Sequence, residues 1–160
     1  MQQEKTTIKV EKLLLNSKVE QSLELLKDIA AQKNIIIENN IPDDIYVNAD
    51  YIMLRSIVQN LVTNSIKYTL QKGLITIDAQ CIDNMVEVCI TDSGIGMEAD
   101  IRKNLFTNFK SASLSGTNDE KIKGLGLILV KDFVNQHSGT IRVESELGKG
   151  TSIIFTMPQY

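Results

Sequence analysis

Arg55-Ser-Ile-Val-Gln-Asn-Leu-Val-Thr-Asn-Ser-Ile-Lys-Tyr-Thr69 decides how this chain is read, because a row of polar residues runs along what is otherwise a core helix. At 100° per residue, Asn60, Asn64 and Lys67 fall within roughly 60° of one another on the helical wheel. Leu54, Ile57, Val58, Leu61 and Val62 fill the neighbouring apolar arc, so the helix packs that arc on a core and carries two amides and an ammonium along its margin. A solvated face normally uses Glu and Lys. Asn is a mediocre helix former, since its amide competes for backbone hydrogen bonds. Taken alone, the stripe reads equally well as a half-buried helix with two satisfied amides or as a helix loaded for a polar ligand.

Around that helix, 160 residues with 42% apolar content make one domain with a real core. A net charge of -3 gives no electrostatic case for nucleic acid or an anionic membrane surface. No apolar run approaches the roughly 20 residues of a membrane span, and Met1-Gln-Gln-Glu-Lys5 is no signal peptide; a cytoplasmic domain is expected. Cys81 and Cys89 have neither metal-site spacing nor a disulfide framework, and His137 is the single histidine. Zinc chemistry and serine-hydrolase chemistry lack their parts.

In chain order, Leu13-Leu14-Leu15 predicts a first strand. A helix from Ser17 or Lys18 to about Lys33 turns Val19, Leu23, Leu26 and Ala30 inward. Short strands at Ile35–Ile37 and Ile45–Val47 flank turn chemistry, and Asn48 or Asp50 caps the opening helix, which runs to about Leu70. Leu74–Gln80 and Val86–Ile90 alternate as a hairpin about Asp83-Asn84. A short helix spans about Glu98 to Leu105. Residues 107–123 show no period and read as a long loop of the lid or binding kind. Gly124 opens a last helix to about Gln136, with Leu127, Val130 and Val134 inward and Gly139 ending it. A closing hairpin joins Ile141–Ser145 to Ser152–Thr156. This order predicts one sheet with helices on a single face.

Three glycine-bearing stretches could carry chemistry. In Asp92-Ser-Gly-Ile-Gly96 a carboxylate at a strand end can accept from an exocyclic amine, and glycines let a flat ligand approach the backbone. The same sequence is also an ordinary turn. Gly124-Leu-Gly126 exposes N–H groups at a helix start, where an anion is favoured, or simply allows close packing. Gly148-Lys-Gly-Thr151 suits any hairpin turn.

Their joint order is what is specific. The chain resembles the catalytic, ATP-binding domain of bacterial sensor histidine kinases, within the superfamily of gyrase, the large heat-shock ATPases and the mismatch-repair ATPases. Asn60-Leu-Val-Thr-Asn64-Ser-Ile-Lys67-Tyr68 is similar to the N box, Asp92 to Gly96 to the first glycine box, Phe106-Thr-Asn-Phe109 to the F box, and Gly124-Leu-Gly-Leu127 to the second glycine box. Gly148-Lys-Gly-Thr151 matches the last box. The resemblance implies an α+β two-layer sandwich, a mixed and mostly antiparallel sheet with about three helices on one face (the Bergerat fold). Residues 1–160 would be a single domain, with core about 13–158 and an ATP lid about 107–123.

It also implies roles. The cofactors would be ATP and Mg. Asn64 would bind Mg, with Asn60 a possible second ligand; a hard cation suits amide oxygens and waters. Asn60 and Lys67 would be the catalytic positions, Lys67 meeting phosphate, and Tyr68 would lie against the nucleotide. Asp92 would accept the adenine amino group with Thr151 in support, and Gly94 and Gly96 would admit the base. Lys123, Gly124, Leu125, Gly126 and Leu127 would line the phosphates. Hydrolysing relatives carry Glu where this chain has Asn60, and an amide cannot serve as a general base. Transfer of the γ-phosphoryl group to an imidazole, by positioning and charge neutralisation, is therefore expected.

The chain departs from the family at Ile122-Lys123, where a further Gly-x is common, and at Asn108, where Arg or Pro is common. It also lacks the phosphoacceptor motif, and His137 reads as a structural cap residue. The partners implied are a histidine-bearing dimerisation domain and a downstream response regulator, with no nucleic acid and no direct membrane contact. The chain itself would be a monomeric piece of a longer kinase that does not label itself, and the full-length protein could be membrane-anchored. The alternatives are a degenerate nucleotide-binding regulatory module, an anti-sigma-type serine kinase, or a hydrolysing ATPase.

Overall fold

The computed structural model describes residues 7–106 and 124–160. The elements run β1 (Val10–Leu14), α1 (Leu15–Gln32), β2 (Ile36–Asn39), β3 (Tyr46–Asp50), α2 (Tyr51–Tyr68), β4 (Leu74–Ile82), β5 (Met85–Asp92), α3 (Ala99–Asn104), α4 (Gly124–Gln136), β6 (Ile141–Ser145) and β7 (Thr151–Pro158). Five strands form a mixed sheet in the order β2-β4-β5-β7-β6. All its neighbours are antiparallel except β2 and β4.

Alternation sets the two faces of the sheet. Ile75 and Ile77 on β4, Val86, Val88 and Ile90 on β5, and Ile153, Phe155 and Met157 on β7 are buried beneath the helices. The helices answer with Val19, Leu23, Leu26 and Ala30 from α1, Leu54, Ile57, Val58, Leu61 and Val62 from α2, and Leu127, Val130 and Val134 from α4. The periodic apolar positions are thus the core, and α1, α2 and α4 make the second layer. The other face carries Thr91 bonded to Ser152 at 2.8 Å, and Arg142 paired with Glu87 and Glu144. Both cysteines are free, Cys81 exposed and Cys89 half-buried.

Local chemistry explains the boundaries. Asp83 and Asn84 both adopt positive φ, the two-residue turn that matches strand twist between Ile82 and Met85. Helix α1 ends with Asn34 left-handed, where Asn34 N–H reaches the Ala31 carbonyl and Ile35 N–H the Ala30 carbonyl. Helix α4 closes in the same way, but with Ser138 rather than Gly139 in the left-handed position. Gly139 is needed instead because a Cβ there would strike the Thr156 carbonyl.

Two expectations are corrected. Helix α1 starts at Leu15, not at Ser17 or Lys18, since Leu15 N–H bonds the Ile45 carbonyl and turns the chain directly from strand to helix. The strands do not all join one sheet, because β1 pairs antiparallel with β3 in a separate ribbon. That ribbon touches the residue just after β7 through an isolated Val47–Gln159 bridge. Lys12 lies over both the Tyr46 and Tyr160 rings, at 4.6 and 4.1 Å, fastening Tyr160 to the ribbon.

Candidate functional site

Helix α2 is held at both ends. The Asp50 side chain accepts from Met53 N–H at 3.1 Å, so of the two N-cap candidates Asp50 takes the place. At the other end Lys33, the residue that follows α1, donates to the Ile66 carbonyl at 2.8 Å, a cation on the orphan carbonyls of the last turn. Between these anchors the polar margin lies along the seam with α4. Asn60 donates to the Ser56 carbonyl at 2.7 Å and hydroxyl at 3.1 Å. Its Oδ1 therefore turns outward, and a Cβ on Gly126 would sit 2.5 Å from it. The first turn of α4 and the middle of α2 meet there, bringing together two positions 66 residues apart in sequence.

One turn further along, Asn64 is only 7% exposed, and among the described residues its side chain makes no hydrogen bond. A buried amide without a partner is costly unless something else fills its valence. Lys67 follows with its ammonium 5.1 Å from the Tyr68 ring centroid.

Asp92 ends β5 beside Thr151, its register partner at the start of β7. It is 5% exposed, and Oδ1 accepts Gly94 N–H at 2.9 Å. Burial pushes its carboxyl above the ordinary aspartate range, against the opposing pull of the Gly94 and Thr151 N–H groups and the Ser65 hydroxyl. Ser65, next to Asn64 on α2, thus ties the amide-bearing helix to the carboxylate. Thr151 is fixed in turn by Ser145, whose Oγ lies 2.8 Å from the Thr151 hydroxyl, donates to the Gly150 carbonyl and accepts Met97 N–H.

Gly94 and Gly96 are required by protein packing. A Cβ on Gly94 would collide with the Tyr68 carbonyl, and Gly96, at φ +71°, would strike the Glu146 carbonyl. These contacts dock the loop after β5 between the end of α2, where Ile95 N–H bonds the Tyr68 carbonyl at 3.2 Å, and the β6–β7 turn.

The positions read from the sequence therefore fall into two groups on one seam: Asn60 and Asn64 with Gly126, and Asp92 with Gly94, Tyr68 and Thr151. Leu127 is buried in the core beneath the opening of α4. Lys123 and the 107–123 lid, with Asn108 and the end of the F box, lie outside the described residues. Sequence reasoning missed Ser65 and Ser145. Ser65 had a signal, since it sits between Asn64 and the end of the helix on the side that faces β5. His137 was read as a cap, and its Nδ1 does lie 2.7 Å from the Phe133 carbonyl in the last turn of α4. It does more: it is 4% exposed, and its Nε2 accepts Asp50 N–H from 87 residues away.

Among the described residues no three His, Cys, Asp or Glu side chains converge to hold a metal. A dedicated all-protein cage is thus not what these residues offer. One free amide oxygen at Asn64 fits an ion such as Mg that keeps its waters and takes its remaining ligands from bound phosphates. Among the described residues no helix is long and apolar enough to cross a membrane.

Comparison with known proteins gives the family and the fold. Residues 49–160 match the family model described as histidine kinase-, DNA gyrase B-, and HSP90-like ATPase. The sensor histidine kinase ZraS of Klebsiella oxytoca is 34% identical over 153 residues, covering 94% of this chain and 32% of that protein. The mycobacterial sensor histidine kinase MprB superposes with a TM-score of 0.80 at 26% identity, over 94% of this chain and 98% of that one. Full-length ShkA, solved in complex with AMPPNP, superposes with a TM-score of 0.82 at 26% identity, over 96% of this chain and 32% of that one. The chain spans between 19% and 32% of the length of the first curated relatives it matches.

Proposed function

Because the chain belongs to the histidine kinase-, DNA gyrase B- and HSP90-like ATPase family, as the ATP-binding catalytic domain of a sensor histidine kinase, we propose that it binds Mg-ATP and supplies the γ-phosphoryl group to a histidine on a separate dimerisation domain. A two-component response regulator would then receive the phosphoryl group. The buried Asp92 carboxylate carries this reading. It is an acceptor held by backbone N–H groups and a hydroxyl, placed at the end of a central strand with the polar edge of α2 beside it. An adenine amino group is the kind of donor that such an acceptor selects, and a site built around a buried acceptor discriminates strongly against ligands lacking the donor.

In this reading Asp92 orients the base, with Thr151 in support and Gly94 and Gly96 shaping the loop around it. Asn64, Asn60 and Lys67 lie along the phosphates, Tyr68 lies against the nucleotide, and the opening of α4 from Gly124 to Leu127, with Lys123 before it, presents N–H groups to them. Mg held at Asn64 would neutralise phosphate charge. Asn60 contributes no base: its NH2 is engaged by Ser56 and its Oδ1 is an amide oxygen. Among the described residues assigned to the phosphates, Asn60, Asn64 and Lys67 can bind and orient a phosphoryl group, and none is a carboxylate that could activate a water. That favours transfer over hydrolysis. The sensor histidine kinase names of the relatives favour histidine over serine as acceptor.

The test is a titration of AMPPNP and of adenosine, with and without Mg, on the wild type and Asn64→Ala. The wild type should bind AMPPNP more tightly with Mg, and Asn64→Ala should lose that increment while keeping its adenosine affinity. If the wild type binds no adenine nucleotide at millimolar concentration, the reading fails.

A further inference from the structure

His137 and Asp50 stand outside every role so far assigned to the nucleotide site, yet they join the two helices that line its phosphate end. Asp50 N–H is a donor only, so Nε2 of His137 accepts, and the ring proton sits on Nδ1, where it meets the Phe133 carbonyl. One imidazole thus spans from the last turn of α4 to the residue that caps α2. The Asp50 carboxylate uses both oxygens: Oδ1 caps Met53 N–H, and Oδ2 accepts Lys9 N–H at 2.9 Å from the residue entering β1.

The middle of α2 and the first turn of α4 meet at Asn60 and Gly126. From Asp50 to Asn60 is ten residues of α2, and from Gly126 to His137 is eleven of α4, each about 15 Å at 1.5 Å per residue. The helices therefore run antiparallel and touch at two points a matched distance apart. Two contacts fix both the sliding and the splay of a helix pair, whereas one leaves it free to pivot. The close Asn60–Gly126 approach tolerates little sliding, because packed side chains have no room to accommodate a shift.

We propose that His137, through its bond to Asp50 N–H, is a positioning residue for the phosphate end of the nucleotide site. It sets the register of α4 against α2, and so the placement of the α4 N–H groups relative to Asn60 and Asn64. This inference rests on the nucleotide-site reading above. It leaves the adenine end untouched, since Asp92, Ser65, Thr151 and Gly94 hold one another without α4.

The experiment compares Mg-AMPPNP and adenosine affinity in the wild type, His137→Phe, which fills the space without an acceptor, and His137→Gln, whose amide oxygen can reach the Asp50 N–H. All are measured where each is fully folded by circular dichroism. His137→Phe should weaken Mg-AMPPNP by about tenfold or more, within the usual range of site-to-site coupling, with adenosine affinity unchanged, and His137→Gln should restore much of the loss. Unchanged Mg-AMPPNP affinity in His137→Phe, or an equal loss for both ligands, overturns the proposal while the nucleotide reading stands. If the wild type binds neither ligand, both fall. Should His137→Phe not fold, the wild type alone decides. Coupling is reciprocal, so Mg-AMPPNP but not adenosine should slow hydrogen exchange at the Asp50 amide. No difference between the two ligands would overturn the proposal.

Discussion

Asp92 holds a carboxylate where the fold would be more comfortable without one. Its carboxyl is raised by burial, so ionisation costs the apo protein stability: whatever this group contributes is fully present below about pH 4 and is lost as pH rises through its raised value. Asp92→Asn keeps an oxygen for Gly94 N–H and removes the buried charge. The apo variant should therefore melt no lower than the wild type at neutral pH, while adenosine binding weakens by about 10- to 100-fold, the worth of a hydrogen bond to a charged group. Thermal melts and adenosine titrations read the two effects separately. A variant that loses stability and keeps adenosine would show that Asp92 serves packing alone. Asp92 was legible in the sequence because a carboxylate followed by two glycines at a strand end is unusual in company with the other boxes. What kept Ser145 hidden is that a serine's partner depends on which neighbour lies within 3 Å, and no spacing rule encodes that.

At the scale of the element, α2 explains why a candidate site stripe could be picked out on the wheel. Its apolar arc and its polar stripe both follow the 3.6-residue period, so one wheel yields the core face, the site face and the helix itself. Hairpin β4–β5 was legible for a similar reason, with strict alternation and an Asp-Asn turn that accepts positive φ. The parallel pairing of β2 with β4 and the β1–β3 ribbon were not, because each joins strands separated by a whole helix or more, and short strands carry too few residues to specify a partner. The cap at Asp50 shows the limit from the other side. Its position was one of two candidates, but its bonds to Lys9 and His137 are long-range. Burial raises its carboxyl, yet the backbone donors at Lys9, Met53 and Ile52 outweigh that and hold it below the ordinary range. Its stabilisation is thus fully present above about pH 4 and is lost as pH falls through the lowered value. Asp50→Ala should cost about 1–2 kcal/mol at neutral pH, as lost N-caps do, and the deficit should shrink in acid. Urea melts at pH 7 and pH 3 check this; an equal deficit at both would mean the charged cap is not the source.

For the whole molecule, the two layers place the buried Asp92 carboxylate, the Asn60 and Asn64 amides and the opening of α4 on one seam, and the proposed function assigns the carboxylate to the base and the amides to the phosphates. The single histidine is buried with both ring nitrogens engaged, so it is no phosphoacceptor. Incubated alone with γ-labelled ATP and Mg, the chain should gain no covalent label and release phosphate slowly. The most direct test of the central claim adds a histidine-bearing dimerisation domain of a sensor kinase in trans to that incubation, and follows the label on each polypeptide. Label should appear on the added domain only, stable to base and labile to acid as a phosphohistidine is, and should vanish with Asp92→Asn. Acid-stable label, label on this chain, or rapid release of phosphate with no transfer would contradict it.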